Sequence, residues 1–258
     1  MNTERAAIVT GASSGIGAAV ALALAARGMG VIVNCVHSES AAEAVAQACR
    51  AAGGRARVVQ ADVAQDEGCR SLVAAAQAEY GRLDYLVNNA GTSTFVAHGK
   101  LDGLDATDFA RIFAVNVTGA FQMIRAARPL LEASGSGAVV NVASIAGTCA
   151  IGSSVAYAAS KAALINMTHS LARALAPAIR INAVAPGFVD TPWHARGLDA
   201  PRIARMTAAV REGTPLQLVT GPADVAEPVL WLLESARHVT GETLHVDAGL
   251  HLRMGQFG

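Results

Sequence analysis

Aromatic residues make up only 4% of the 258-residue chain and charged residues only 16%. Lysine plus arginine and aspartate plus glutamate both number 20, so no charge of either sign is in excess. DNA or an anionic lipid surface favours a basic face, and this balance offers none, so no nucleic-acid or membrane partner is expected. Cysteine is scarce: Cys35, Cys49, Cys69 and Cys149 stand far apart with no C-x-x-C pair. That spacing argues against a disulfide or metal role and for free thiols in a reducing cytosol. The histidines show no metal-ligand spacing, and no metal is expected. No apolar run is long enough to span a bilayer. The opening M-N-T-E-R-A-A-I-V-T-G reaches a strand-like run within six residues. It lacks the basic region and long apolar region of a signal peptide, so a cytoplasmic location is expected.

What is present is a repeating alternation. Strand-like runs occur at 7–10, 31–35, 56–60, 83–88, 138–143, 179–184 and 243–246, and alanine-rich segments of helical length lie between them, 66–80, 105–132 and 155–176 included. Ser40 with Glu43 reads as a capping box, and Gly53-Gly54 as the stop of the same helix. Alternating β and α units with continuously apolar strands imply a parallel sheet covered by helices on both faces, doubly wound through right-handed crossovers. With no repeat, low-complexity tract or linker, one domain is expected over 1–258. Segments near 91–104 and 187–221 fit neither helix nor strand, and long irregular segments in such a domain are typically functional lids.

Directly after the first strand, T-G-A-S-S-G-I-G (10–17) opens a helix. Strand, glycine turn and helix N-terminus together make a phosphate site: backbone N–H groups and the helix dipole favour an anion, and glycine lets a pyrophosphate approach the backbone. Gly11, Ser13, Ser14, Gly15, Ile16 and Gly17 are its candidate residues. Farther on, Y-A-A-S-K places Tyr157 and Lys161 four apart on one helix face. That spacing suits a snorkelling lysine beside a packing tyrosine as well as it suits catalysis.

The glycine loop, N-N-A-G (88–91), Ser144, Y-x-x-x-K and P-G-F-V-D-T (186–191), in that order, resemble the short-chain dehydrogenase/reductase family, and G-E-T-L-H-V-D-A-G (241–249) resembles its last strand. The resemblance implies a Rossmann-type fold with a seven-stranded sheet. It implies that Tyr157 exchanges the proton, that Ser144 polarises the substrate carbonyl, and that Asn116 joins a lysine–water relay. Lys161 would both tune Tyr157 and hold the nicotinamide ribose. Asp62 and Val63 match the adenine-contacting pair; Asn89, Ala90 and Gly91 match the ribose-lining strand end; Pro186, Gly187, Val189 and Thr191 match the segment that orients the carboxamide. Trp193 falls in the segment read as a substrate lid. A free phenol has a pKa near ~10, and lowering it by about three units takes roughly 4 kcal/mol at ~1.36 kcal/mol per unit. Lys161 in a partly desolvated site, helped by a charged nicotinamide ring, is expected to supply that.

NAD-selective relatives carry an acid after the second strand. Here Cys35 occupies that place in N-C-V-H-S-E-S (34–40), and His37, Ser38 and Ser13 are candidates for a 2′-phosphate, so NADP(H) is expected over NAD(H). The implied activity is hydride transfer between nicotinamide and a small-molecule carbonyl or secondary alcohol. The alternatives are a 3-oxoacyl carrier-protein reductase, for which Arg125, Arg128 and Arg173 are candidates for a basic patch, a sugar or polyol dehydrogenase, and a non-catalytic cofactor-binding regulator. The helix at 155–176 is apolar around much of its circumference, so a second contact is expected, and the resemblance, in which the equivalent helix forms dimer and tetramer interfaces, implies a homotetramer.

Overall fold

The computed structural model describes residues 5–253; the first four residues of the opening segment read above, and residues 254–258, lie outside the described residues. Seven strands form one sheet: β1 (Ala6–Val9), β2 (Gly30–Cys35), β3 (Arg55–Gln60), β4 (Tyr85–Asn88), β5 (Gly137–Val142), β6 (Ile179–Pro186) and β7 (Thr243–Val246). Every pairing is parallel and the order is β3-β2-β1-β4-β5-β6-β7. The helices are α1 (Gly15–Ala25), α2 (Glu39–Ala51), α3 (Asp66–Tyr80), α4 (Ala106–Phe113), α5 (Ala120–Ala133), the short α6 (Ala146–Cys149), α7 (Val155–Leu175), α8 (Ala200–Gly213) and α9 (Pro222–Glu234). The expected doubly wound Rossmann-type α/β sandwich is therefore present.

The two-residue period of the strands sorts the core into two layers. Val9, Val31, Val33, Val87 and Val140 pack on one face with Leu24 of α1, Ala46 of α2 and Val229 of α9. Ile8, Ile32, Leu86, Val139 and Ile181 point to the other face, against Leu72 of α3 and Met123 of α5. Burial on both faces explains why these strands read as continuous apolar runs.

Three local expectations are corrected. The second helix begins at Glu39 after Ser38, so Ser40 lies inside the first turn and cannot act as its cap; Ser38 makes no side-chain cap bond either. The single helix expected over 105–132 is broken into α4 and α5 by a π-helical turn, Ala114–Gly119. The segment 187–221 is not irregular throughout, since it holds a 3-10 turn at His194–Arg196 and the 14-residue α8. Asp199 starts α8 by accepting the N–H of Arg202 at 2.8 Å, and Pro201 sits in its first turn. No residue of α8 is buried, so the apolar period that would reveal it is weak.

The join between β1 and β4 rests on a buried charge. Asp84, with no exposed surface, accepts the N–H of Ala6 at 2.9 Å and a two-pronged ion pair from Arg82 at 2.8 and 2.7 Å. Removing one member of such a set strands the other without compensation. Asp84→Ala is expected to destabilise the protein by about 3 kcal/mol, read from urea unfolding, while Asp66→Ala on the exposed face should move the urea midpoint far less.

Candidate active site

The carboxyl ends of parallel strands share one edge, and where neighbouring crossovers leave in opposite directions a crevice opens. β1, flanked by β2 and β4, lies at that point. The glycine loop leaves β1 there, with Gly11 and Gly15 at φ +61° and +57°, conformations that favour glycine. A Cβ on Gly11 would come within 2.9 Å of Ala90 Cα, and one on Gly17 within 2.5 Å of Asn89 Nδ2. Ser14 precedes α1 and makes no side-chain cap bond to it, so the first N–H groups of the helix remain available to an anion. This cradle fits the pyrophosphate of a dinucleotide. A Cβ on Gly15 would lie 3.4 Å from Thr191 Cγ2, so the loop and the segment after β6 face each other. Pro186 ends β6, Gly187 packs against Asp247, and Val189 bridges Thr220.

Two residues outside the expected set hold this loop. Thr10 Oγ1 accepts the N–H groups of Asn89 and Ala90, both at 3.0 Å. Asn34, fully buried in β2, accepts the N–H of Gly11 at 3.1 Å and donates to Ala61 O at 2.9 Å. A buried asparagine ending an apolar strand was the available signal. Asn89 donates to Thr10 O and Gly11 O at 3.0 and 2.9 Å, closing the clamp. Beyond β3, Asp62 Oδ1 accepts the N–H of Ala64, and Val63 is buried against Gly119 and Cys69. His37 and Ser38 are exposed after β2, and Ser13 is half-buried in the glycine loop.

Ser144, Tyr157, Lys161 and Asn116 come together at the same edge. Ser154 caps α7 by accepting the N–H of Tyr157 at 3.2 Å, which fixes the first turn of the helix. The Ser144 hydroxyl neighbours the Tyr157 hydroxyl and favours its ionised form, and Ser144 Oγ donates to Pro186 O at 3.5 Å. Ser144 Oγ also accepts the N–H of Ala146 at 3.1 Å. Lys161 is 4% exposed; its ammonium donates to Val142 O at 2.7 Å and lies 5.7 Å from the centre of the Tyr157 ring. A Cβ on Gly91 would lie 3.5 Å from Asn116 Oδ1 and 3.9 Å from Lys161 Nζ, so these three are neighbours.

Two chemical expectations are altered. Asn116 is buried in the π-helical turn and its amide is spoken for: Oδ1 accepts Thr92 N–H at 2.8 Å, while Nδ2 donates to Thr92 O at 3.0 Å and to Ser160 Oγ at 2.9 Å. It ties the 91–104 segment to α7 one residue before Lys161. The expected depression of the Tyr157 phenol called on Lys161 together with a charged nicotinamide ring, and the protein's own groups do not supply it. Burial pushes Tyr157 up to about 12, only partly offset by the Ser144 hydroxyl, and burial pushes Lys161 down to about 8. Tyr157 keeps some exposed surface as a residue, so the desolvation acts at its hydroxyl end. Burial disfavours the charged form of each group.

Of the three arginines considered for a basic patch, Arg125 is hydrogen-bonded to Asp66 and Arg128 pairs with Glu132 at 2.7 Å. Their charges are met within the chain.

The family described as enoyl-(acyl carrier protein) reductase matches residues 11–251. Ketoacyl reductase 2 assigned to the granaticin polyketide synthase of Streptomyces violaceoruber is 44% identical, over 95% of this chain and 96% of that protein. The cis-4-hydroxycyclohexanecarboxylate dehydrogenase of Sinomonas cyclohexanicum is 42% identical, over 95% and 96%. The solved structure of a short-chain dehydrogenase/reductase from Burkholderia xenovorans superposes with a TM-score of 0.90 at 41% identity, covering 98% of this chain and 100% of that one. The chain belongs to the short-chain dehydrogenase/reductase family. It is therefore an oxidoreductase, of a family that uses NAD(P) cofactors. Among the described residues of this short-chain dehydrogenase/reductase, no helix is long and apolar enough to cross a membrane.

The buried ammonium has a measurable consequence for stability. Lys161 is held at about 8 in the folded protein against 10.5 for an ordinary lysine, so between those values the unfolded chain binds the proton that the folded protein releases. Its contribution to stability should rise with pH across that window. Tyr157 acts oppositely but only at higher pH, because its contribution is present below 10 and lost through about 12. Comparing urea midpoints near neutrality and near pH 10, wild type should lose less stability, or gain more, than Lys161→Met; equal pH responses would show that the lysine is not desolvated.

Proposed function

We propose that this protein transfers a hydride between NADP(H) and the carbonyl or secondary alcohol carbon of a small molecule, with Tyr157 as general acid/base. The observation that carries the reading is the convergence of Ser144, Tyr157 and Lys161 beside the glycine cradle, with the Lys161 ammonium 5.7 Å from the Tyr157 ring centre and Gly91 against it. The nicotinamide, when bound, supplies or accepts the hydride. In carbonyl reduction, Ser144 donates a hydrogen bond to the substrate oxygen, and Tyr157 gives that oxygen its proton as the carbon is reduced. Lys161, with one ammonium hydrogen committed to Val142 O, keeps two for the ribose hydroxyls. Asn89, Ala90 and Gly91 line the ribose, Asp62 and Val63 the adenine, and Pro186, Gly187, Val189 and Thr191 the carboxamide. Asn116 supports the Lys161 relay by holding the adjoining backbone in place. The intact set counts against a non-catalytic regulator.

Cys35 is a buried thiol where an NAD-selective acid would stand, and His37, Ser38 and Ser13 offer donors to a 2′-phosphate. The Glu39 carboxylate lies within electrostatic reach of Cys35 and opposes that phosphate. The preference for NADPH over NADH is therefore modest, about tenfold or ~1.4 kcal/mol. A 3-oxoacyl thioester is the second reading of the substrate, favoured by the ketoacyl reductase relative. Exposed Phe109, Phe121 and Val155 on α4, α5 and α7 support assembly as a homotetramer.

Tyr157→Phe should lower turnover at least about a thousandfold, in line with loss of a general acid together with its hydrogen bond to the reacting oxygen. Its NADPH dissociation constant, from nicotinamide fluorescence, should stay within about twofold of wild type; retained turnover would overturn the assignment. The same titration with NADPH and NADH tests the cofactor preference, and sedimentation of a stable monomer would remove the tetramer.

A further inference from the structure

The two segments that follow β4 and β6 meet beside Tyr157, and they meet through aromatic side chains. Trp193 lies 6.0 Å from the Tyr157 ring centre, tilted by 45°, and 6.4 Å from Phe95, tilted by 52°. Both are distances and tilts at which aromatic pairs attract. Gly197 lies flat against Phe95, where a Cβ would come within 2.3 Å of Cγ. The Arg196 guanidinium stacks 4.9 Å from the Trp193 ring centre. Trp193 is thereby held from three directions. Phe188 and His194 stack at 4.4 Å, and burial pushes the His194 imidazole below its ordinary range, so it is neutral at neutral pH.

The hydroxyls of Thr92, Ser93 and Thr94 in the first of these segments are already committed, and only Nε2 of His98 is buried there without a partner among the described residues. Ser93 Oγ bonds Ser153 Oγ at 2.5 Å and Thr94 O at 3.1 Å. Thr94 donates to Asp108 at 2.6 Å, while Arg111 donates to Thr92, Thr94 and Asp108. A substrate rich in hydroxyls would lose water on entry and find these partners taken, which is costly for each group left unpaired. An apolar ring loses nothing of that kind and gains aromatic contact.

We propose that Trp193 and Phe95 form a specificity wall beside Tyr157 that selects an apolar ring bearing the reacting carbonyl or secondary alcohol over a polyhydroxylated substrate. This rests on the hydride-transfer reading above and names the substrate class for that site.

The test uses the whole protein with NADPH and three carbonyl probes: cyclohexanone, dihydroxyacetone and acetone. Wild type should favour cyclohexanone over dihydroxyacetone by about a hundredfold in kcat/KM. Trp193→Ala should raise KM for cyclohexanone by about tenfold and lower the cyclohexanone-to-acetone ratio of kcat/KM by a similar factor, because the smaller ketone gains little from the wall. Trp193→Phe should restore most of the loss, which separates an aromatic contact from misfolding. Binding is read without turnover in a Trp231→Phe background, where Trp193 is the remaining tryptophan. Cyclohexanone should shift its emission saturably and dihydroxyacetone should not. Equal kcat/KM for the two probes, or an unchanged cyclohexanone KM in Trp193→Ala, overturns the wall and leaves hydride transfer standing. A saturable, ring-selective emission shift in a protein that reduces none of the three keeps the wall and removes the hydride-transfer reading. No turnover and no shift removes both.

Discussion

The carboxyl-edge junction of β1 and β4 is the constraint on which the site depends. Two backbone segments approach there more closely than any side chain permits, as the 2.9 Å between a Cβ on Gly11 and Ala90 Cα shows. The approach is held by hydrogen bonds rather than packing. Thr10 Oγ1 takes two successive N–H groups from β4's end, Asn89 returns two bonds, and Asn34 secures Gly11 from the β2 side. Because strand order forces crossovers to leave in opposite directions here, this clamp borders the crevice. Thr191 meets the loop across it, so the glycine cradle and the segment after β6 are in contact.

The same device recurs through the sheet. Asn34, Asn88 and Asn141 each sit buried in an otherwise apolar strand, and Asn182 is buried in β6 beside Ile181. Asn88 donates to Asn141 at 2.9 Å, Asn141 to Thr168 of α7 at 2.9 Å, and Asn182 joins β6 to the turn before β7. Although Oδ1 of Asn88 is buried without a partner among the described residues, hydrogen-bonded polar groups in a low-dielectric interior are directional where hydrophobic packing is not. They fix the height of α7 against the sheet, and Ser154, Asn116–Ser160 and Lys161–Val142 fix its rotation. Tyr157 and Lys161 are thus presented by a helix with little freedom to slide, which is what a proton-transfer geometry requires.

Strands, their parallel arrangement and the motif residues were legible in the sequence because each leaves a local trace: an apolar run, a glycine at a turn, a four-residue spacing. β7 was read to the residue at 243–246. What was not legible lacks such a trace. α8 buries nothing and so shows no strong apolar stripe. The π-helical turn around Asn116 looks helical by composition and differs only in its bonding. Thr10 and Asn34 read as a strand end and a polar interruption, since their partners lie on other strands. The direction of the Tyr157 shift could not be read from spacing, because the four-residue offset reports proximity to Lys161 while enclosure is set by elements far away in the chain.

Enclosure links the chemistry to the shape. The aromatic side chains and committed hydroxyls around Tyr157 leave few polar atoms to solvate a charge. A dry surrounding raises the phenol, lowers the ammonium and keeps His194 neutral, three shifts with one leading cause. It also makes each remaining hydrogen bond stronger, so the single contact from Ser144 weighs more on an oxygen that gains charge. A site that admitted hydroxyl-rich substrates would need free polar partners and the water that follows them, and those would weaken both effects. The preference for an apolar substrate and the retention of the Tyr157 proton are therefore consequences of the same burial.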